Sequence, residues 1–187
     1  MLYKISDFDI ESLSISSTKD ATYVQSNKQP FELQVDWITL GKYPLPSKKF
    51  VTDDAKSINL TVRITRNDEN YTMLSAFDVI HSKLNIAQSK KYHPLVSEKE
   101  GEYYLKFKVN LNTLLFDKDK NAISITSLFD FYKYLKEDTQ MKIVFGFSKI
   151  WQMGREYGFS LSVKRILLKD AVKEVPPEPK VSFLDDD

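Results

Sequence analysis

Along EYYLKFKV, residues 102–109, Tyr104, Lys106 and Lys108 fall at alternate positions, so an extended chain sets one ring and two ammonium groups on the same side. Arg63 lies on the polar side of SINLTVRI (57–64), and Lys149, Trp151, Arg155, Tyr157, Lys164 and Arg165 follow within 149–165. Cations interleaved with flat rings suit a flexible polyanion that exposes both phosphates and base faces. Each stacked base is worth about 1–3 kcal/mol, and each neutralised phosphate adds a salt-dependent term. A plainer alternative is an amphipathic sheet whose wet face happens to be basic. Three strands with the same bias, together with an acidic terminus, favour a surface for single-stranded nucleic acid.

Other chemistries find few residues. There is no GxxxxGK[ST] and no GxGxxG, and the five glycines form no phosphate cradle. His81 shares an apolar helical face, which suits a hydrogen-bonded core residue better than a ligand, and His93 precedes Pro94 in a loop. DKDKN (117–121) imitates the opening of a calcium loop, but Ala122 stands at the sixth position and Leu128 at the twelfth, so a solvated turn is the better reading. NLT (59–61) and NYT (70–72) match a glycosylation sequon, the first inside a strand. With no cysteine there is no disulfide, thiol nucleophile or thiolate metal site. No catalytic residue, metal site or cofactor is assigned.

The elements that must position the cations are mostly strands. FELQVDWITL (31–40) alternates Leu33, Val35 and Trp37 against polar neighbours, and GKYPLPSKK (41–49) breaks it with Gly41, Pro44 and Pro46. In 57–64 the period of two is clear, with Ile58, Leu60, Val62 and Ile64 opposed to Asn59, Thr61 and Arg63. TMLSAFDVIHSKLNI (72–86) changes to a helical period through Leu74, Phe77, His81 and Leu84. SLFDFYKYLKE (127–137) predicts a second helix, capped by Ser127 or Thr126, with Leu128, Phe131, Tyr132 and Leu135 inward. Two long β runs, 141–151 and 157–168, are joined by QMGRE as a hairpin, in which neighbours Lys164 and Arg165 should point to opposite faces.

Length and charge set the frame. At 187 residues the chain accommodates one medium domain plus arms. No apolar run approaches about 20 residues, and MLYKISDFDIES places acids where a signal peptide would be apolar, so an intracellular protein with no membrane partner is expected. Residues 173–187 hold two lysines against five carboxylates, a net of −3, which leaves +4 on the remainder. Their end, VPPEPKVSFLDDD, carries Pro176, Pro177 and Pro179, which keep an arm extended. Phe183 and Leu184 would anchor a partner, and Asp185, Asp186 and Asp187 could compete for a basic groove. A solubility tail, or Phe183 packed on its own domain, are the plainer readings.

KIVFGFSKIWQMGREYGFSLSVKRILL (142–168), a strand ending on Trp, a short polar turn, Tyr-Gly and an alternating strand, resembles the closing hairpin of viral and phage single-stranded DNA-binding proteins. The nearest group is the phage T7 type, with its counterparts in large DNA viruses of eukaryotes. The resemblance implies a mainly β protein, an OB-like β-barrel with two inserted helices over residues 1–172, followed by a disordered acidic C-terminal tail over 173–187. It also implies sequence-independent DNA binding through Trp151, Arg155, Tyr157 and Lys164, in replication, recombination or repair, at the site of viral or phage DNA replication in the host cell. Acidic tails of that group recruit replication proteins such as a DNA polymerase; here Phe183 precedes the acids, whereas the T7-type tail closes on an aromatic residue. A homodimer is compatible with the sequence. The alternative is a non-enzymatic viral structural or protein-interaction β-domain.

Overall fold

The computed structural model describes residues 1–17, 22–65, 71, 72, 74, 75, 78, 90–148 and 150–170. In chain order the strands are β1 (Leu2–Lys4), β2 (Leu13–Ser17), β3 (Thr22–Ser26), β4 (Glu32–Thr39), β5 (Ile58–Ile64), β6 (Lys91–His93) and β7 (Val96–Lys99). There follow β8 (Glu102–Val109), β9 (Leu114–Phe116), β10 (Ala122–Ile123), β11 (Gln140–Phe147), β12 (Trp151–Met153), β13 (Glu156–Gly158) and β14 (Leu161–Leu168). The main sheet has the order β1-β4-β11-β14-β8-β5 and curls into a half-barrel, so the mainly β, OB-like architecture is what the chain adopts.

Alternation makes the half-barrel close over one core. β5 and β8 pair antiparallel over seven residue pairs, Ile58↔Val109 through Ile64↔Tyr103. Leu60, Val62, Leu105 and Phe107 are buried on the inner side, where Phe107 meets Phe145 edge-on at 5.1 Å. Phe8, Phe31 and Phe147 extend the cluster, with Phe8 stacked on Phe31 at 5.0 Å. The polar halves of the same strands are left facing outward.

Two departures from strict alternation decide which side chains reach that outer face. β11 matches Phe145 to Val163 and Val144 to Arg165, so β14 carries one extra residue, Lys164. A bulge turns consecutive residues toward one side. Lys164 and Arg165 therefore both lie outside, contrary to the expectation that neighbours must part. The Lys164 stem rests over Gly146, its Cε 3.6 Å from where a Cβ would stand. In β4, Met141↔Ile38 and Ile143↔Val35 leave another extra residue, and Asp36 and Trp37 are both exposed. Trp37 is thus not on the core face with Leu33 and Val35.

The helices and the terminal hairpin are shorter than predicted. Of 72–86, Thr72, Leu74, Ser75 and Asp78 are helical, Leu74 being fully buried, while Phe77, His81 and Leu84 lie outside the described residues. The 127–137 segment is a single 3-10 turn, Leu128–Asp130, running into a four-residue helix α1 (Phe131–Tyr134). Ser127 caps it as predicted, in a reciprocal box with Asp130, and Leu128, Phe131 and Leu135 are buried. The long β runs break near Ser148 and Ser160 into two hairpins, β11–β14 and β12–β13. DKDKN is a turn in which Asp117 accepts from the backbone of Asp119 and Asn121. Among the described residues no helix is long and apolar enough to cross a membrane, and no cluster of three metal-ligating side chains occurs.

The capping box makes a pH-dependent contribution. Asp130 accepts from Lys133 Nζ at 2.7 Å and from the backbone of Thr126 and Ser127, which together hold its carboxyl well below the usual range. A depressed folded-state value stabilises above the unfolded value and is lost as pH falls through the folded one. Asp130→Ala should cost about 1 kcal/mol at neutral pH in urea unfolding. The difference from the native chain should start to shrink below about pH 4; a deficit that persists unchanged into acid would contradict this origin.

Candidate nucleic-acid interface

The register of β5 against β8 places Asn59, Thr61 and Arg63 beside Lys108, Lys106 and Tyr104 respectively. Ser162 of β14 pairs with Lys108 and continues the same outer face. Above this floor lie two hollows. One, of about 700 Å3, is bounded by Tyr43, Pro46, Lys48 and Tyr132 together with Asn59, Thr61 and Lys106. The other, of about 160 Å3, is bounded by His93, Leu95, Trp151 and Phe159 together with Asn59, Lys106 and Lys108. Asn59 and Lys106 belong to both, so the two are halves of one groove running over β5 and β8 between two aromatic walls.

The first wall comes from residues 43–50, a stretch whose prolines and glycine mark it as a break. Thr61 N–H donates to Pro44 O at 2.7 Å, and the Tyr132 hydroxyl donates to Pro46 O at 2.7 Å, tying the loop to the floor and to α1. Tyr43 is 86% exposed at φ 53°, a left-handed conformation that costs a bulky residue on the order of 1–3 kcal/mol. Lys48 Nζ lies 5.5 Å from the Tyr132 ring, and Lys49 Nζ lies 4.9 Å from the exposed Phe50 ring. Tyr43, Lys48 and Phe50 were missed because loop composition hides a ring-and-lysine alternation, for which the signal available was KYPLPSKKF itself; Tyr132 was read as an inward residue of the 127–137 helix, whereas it is half-buried and lines the groove.

The second wall is β12–β13 with β6. Gly154, at φ 56°, opens the two-residue turn that carries exposed Arg155 at the tip. Trp151 pairs with Gly158, whose missing side chain admits the indole; a Cβ there would come within 2.7 Å of Cζ2. Trp151 Nε1 donates to Phe159 O at 3.2 Å, and the ring meets His93 edge-on at 5.8 Å. Tyr157, one residue along, is only 4% exposed and packs on Tyr92 at 5.4 Å; burial pushes its hydroxyl pKa up. Its assignment as a contact residue is corrected: it supports the wall from inside. Asp78 fixes this wall by accepting from the Tyr92 hydroxyl at 2.5 Å and from Leu95 and Val96 N–H at 2.8 and 3.2 Å.

The cations fall into two groups. Lys106, Lys108 and Lys164 are exposed and make no ion pair among the described residues. Arg63 pairs with Glu102 at 2.6 Å, and Glu102 also accepts from the Tyr104 hydroxyl, a bond that raises the Tyr104 pKa. Arg165 is paired with Glu32. Lys149 and the terminal residues Phe183, Leu184, Asp185, Asp186 and Asp187 lie outside the described residues. The groove thus unites Lys106 and Lys108 with Trp151, sets Tyr104 and Arg63 along the same face under a carboxylate, and leaves Arg155 at the hairpin tip.

Solved structures similar to this chain include the single-stranded DNA-binding protein from bacteriophage Enc34, at TM-score 0.49 and 10% identity over 91% of this chain and 96% of that one. The same phage protein in complex with ssDNA gives TM-score 0.49 and 10% identity over 89% and 98%. The single-stranded DNA-binding protein gp2.5 of bacteriophage T7 gives TM-score 0.44 and 10% identity over 82% and 98%. These structural neighbours are phage single-stranded DNA-binding proteins. No family model matches the sequence, and no curated protein matches it.

Among the described residues, Glu102 is the one carboxylate that holds two candidate contacts, Arg63 and Tyr104. Glu102→Gln should release a cation to the groove, tighten oligo-dT binding, and steepen the log–log salt slope by up to about 0.7. Weaker binding by this variant in a salt-series titration would show that Glu102 orders the groove instead of restraining it.

Proposed function

We propose that the protein binds single-stranded DNA without sequence preference in the groove over β5 and β8. The observation that carries this reading is the pair Lys106 and Lys108, exposed and without carboxylate partners among the described residues, on a floor between Tyr43 and Tyr132 on one side and Trp151 on the other. Phosphates meet ammonium groups, which read charge alone. Rings stack on base faces, which every base presents and which a duplex keeps covered. Preference for the single strand and indifference to sequence follow from the same geometry.

Coating of exposed single strands during replication, recombination or repair is the role in which such binding serves, with no chemical step. The terminal segment 173–187 is assigned to partners: its acids to competition for the groove or recruitment of a replication protein such as a DNA polymerase, and Phe183 and Leu184 to an apolar anchor. This support is compositional, resting on a net of −3 beside a body of +4.

Oligo-dT should bind more tightly than duplex of equal length, with a log–log salt slope of about −0.7 per phosphate neutralised. Lys106→Ala and Lys108→Ala should each reduce that slope by about 0.7. Absence of binding to both forms would favour a protein-interaction domain. Removal of residues 173–187 should tighten oligo-dT binding; unchanged affinity would reject competition by the tail while leaving the groove intact.

A further inference from the structure

A second aromatic platform lies on the same outer face, beyond the groove. The β4 bulge turns Trp37 to solvent, where it is 40% exposed. Lys142 Nζ stands 5.0 Å and Lys169 Nζ 5.7 Å from the centre of its ring. Both ammonium groups are held in place. Lys142 is bound to Asp36 at 3.0 Å, an interaction that lowers the Asp36 pKa. Lys169 donates through its backbone N–H to Gln140 O at 2.9 Å and through Nζ to Gln140 Oε1 at 2.7 Å. An indole kept half in water, with two positioned cations over it, contributes little to the core but matches a base with flanking phosphates.

Strand register connects this corner to the groove. On β14, Ser162 faces outward beside Lys108, and Leu167 faces outward beside Lys142. Between them the bulged Lys164, which makes no ion pair among the described residues, lies over Gly146, so a cation stands on a floor with no side chain. From β8 to β4 there are three inter-strand steps, about 14 Å at the usual spacing. A single strand occupying about 4–16 nucleotides per OB fold spans that distance.

We propose that Trp37, with Lys142 and Lys169, forms a second stacking and phosphate site for the same single strand, reached where the strand leaves the groove and passes Lys164. The inference rests on the groove reading and adds to it a path and a minimum length. Ligands too short to cross β14 and β11 occupy the groove alone.

The chain has two tryptophans, Trp37 and Trp151, so each site carries its own reporter. In full-length protein, Trp151→Phe keeps a stacking ring in the groove and leaves the emission of Trp37, and Trp37→Phe leaves that of Trp151. Titrated with oligo-dT of increasing length, Trp151 should quench with the shortest oligomers that bind, and Trp37 only with longer ones. Trp37→Ala should weaken long oligo-dT by about tenfold, the effect of losing one stacked base, and leave the shortest unaffected. Quenching of Trp151 with an unchanged Trp37 signal at saturating long oligo-dT, and native affinity of Trp37→Ala at every length, would overturn the second site while preserving the groove. Silence of both reporters and no binding at all would overturn both.

Discussion

The antiparallel pairing of β5 with β8 is the constraint on which the rest of the surface depends. Seven successive residue pairs match without a register shift, burying Ile58, Leu60, Val62 and Ile64 opposite Val109, Phe107, Leu105 and Tyr103. A slip by one residue would exchange the faces, exposing that row and forcing lysines inward. Each large apolar side chain so exposed would cost about 1.5–3 kcal/mol. The lysines are therefore presented by the hydrophobic effect acting on their neighbours. The wall above them is measured from the same strand, because Thr61 N–H is what holds Pro44 and brings Tyr43 over the floor.

Charge on this face is divided by partner chemistry as well as by sign. Arg63 and Arg165 are engaged by carboxylates, whereas Lys106, Lys108 and Lys164 make no ion pair among the described residues. Guanidinium groups fit a planar carboxylate, and ammonium groups act as point charges. Exposed ion pairs are worth about 0–1 kcal/mol, so phosphate can replace Glu102 or Glu32 at little expense. On the proposed reading, the face has a constant lysine component and a reserve of cations that a bound polyanion would release.

How much of this was legible follows from where alternation is kept. β5 and β8 obey a strict period of two, so their outward residues were readable, and the capping box at Ser127 was equally local. Trp37 was misplaced, and Lys164 and Arg165 were wrongly parted onto opposite faces, because each lies at a bulge, and a bulge is set by the partner strand, which one segment of sequence does not contain. The same non-locality hid the loop 43–50, whose prolines read as a break while its rings are aimed by contacts with Thr61 and α1. The groove was legible as a list of cations; its walls required the topology.

Tyr157 shows why residue type alone could not sort the rings. It sits beside Gly158 in a three-residue strand, as Trp151 sits beside Gln152, and the period of two sends one ring outward and the other in. The buried one is not idle. Tyr157 packs on Tyr92, whose hydroxyl is bound by Asp78, and Asp78 also takes the backbone of Leu95 and Val96. The chain from Asp78 through Tyr92 to Tyr157 thus fixes β6 and β13 together, and β13 supplies the Gly158 surface on which Trp151 lies. On the proposed reading, a ring that stacks on a base without losing much freedom has to be held beforehand, and the half-buried Asp78 carboxylate, accepting three hydrogen bonds, does the holding from the far side of the wall.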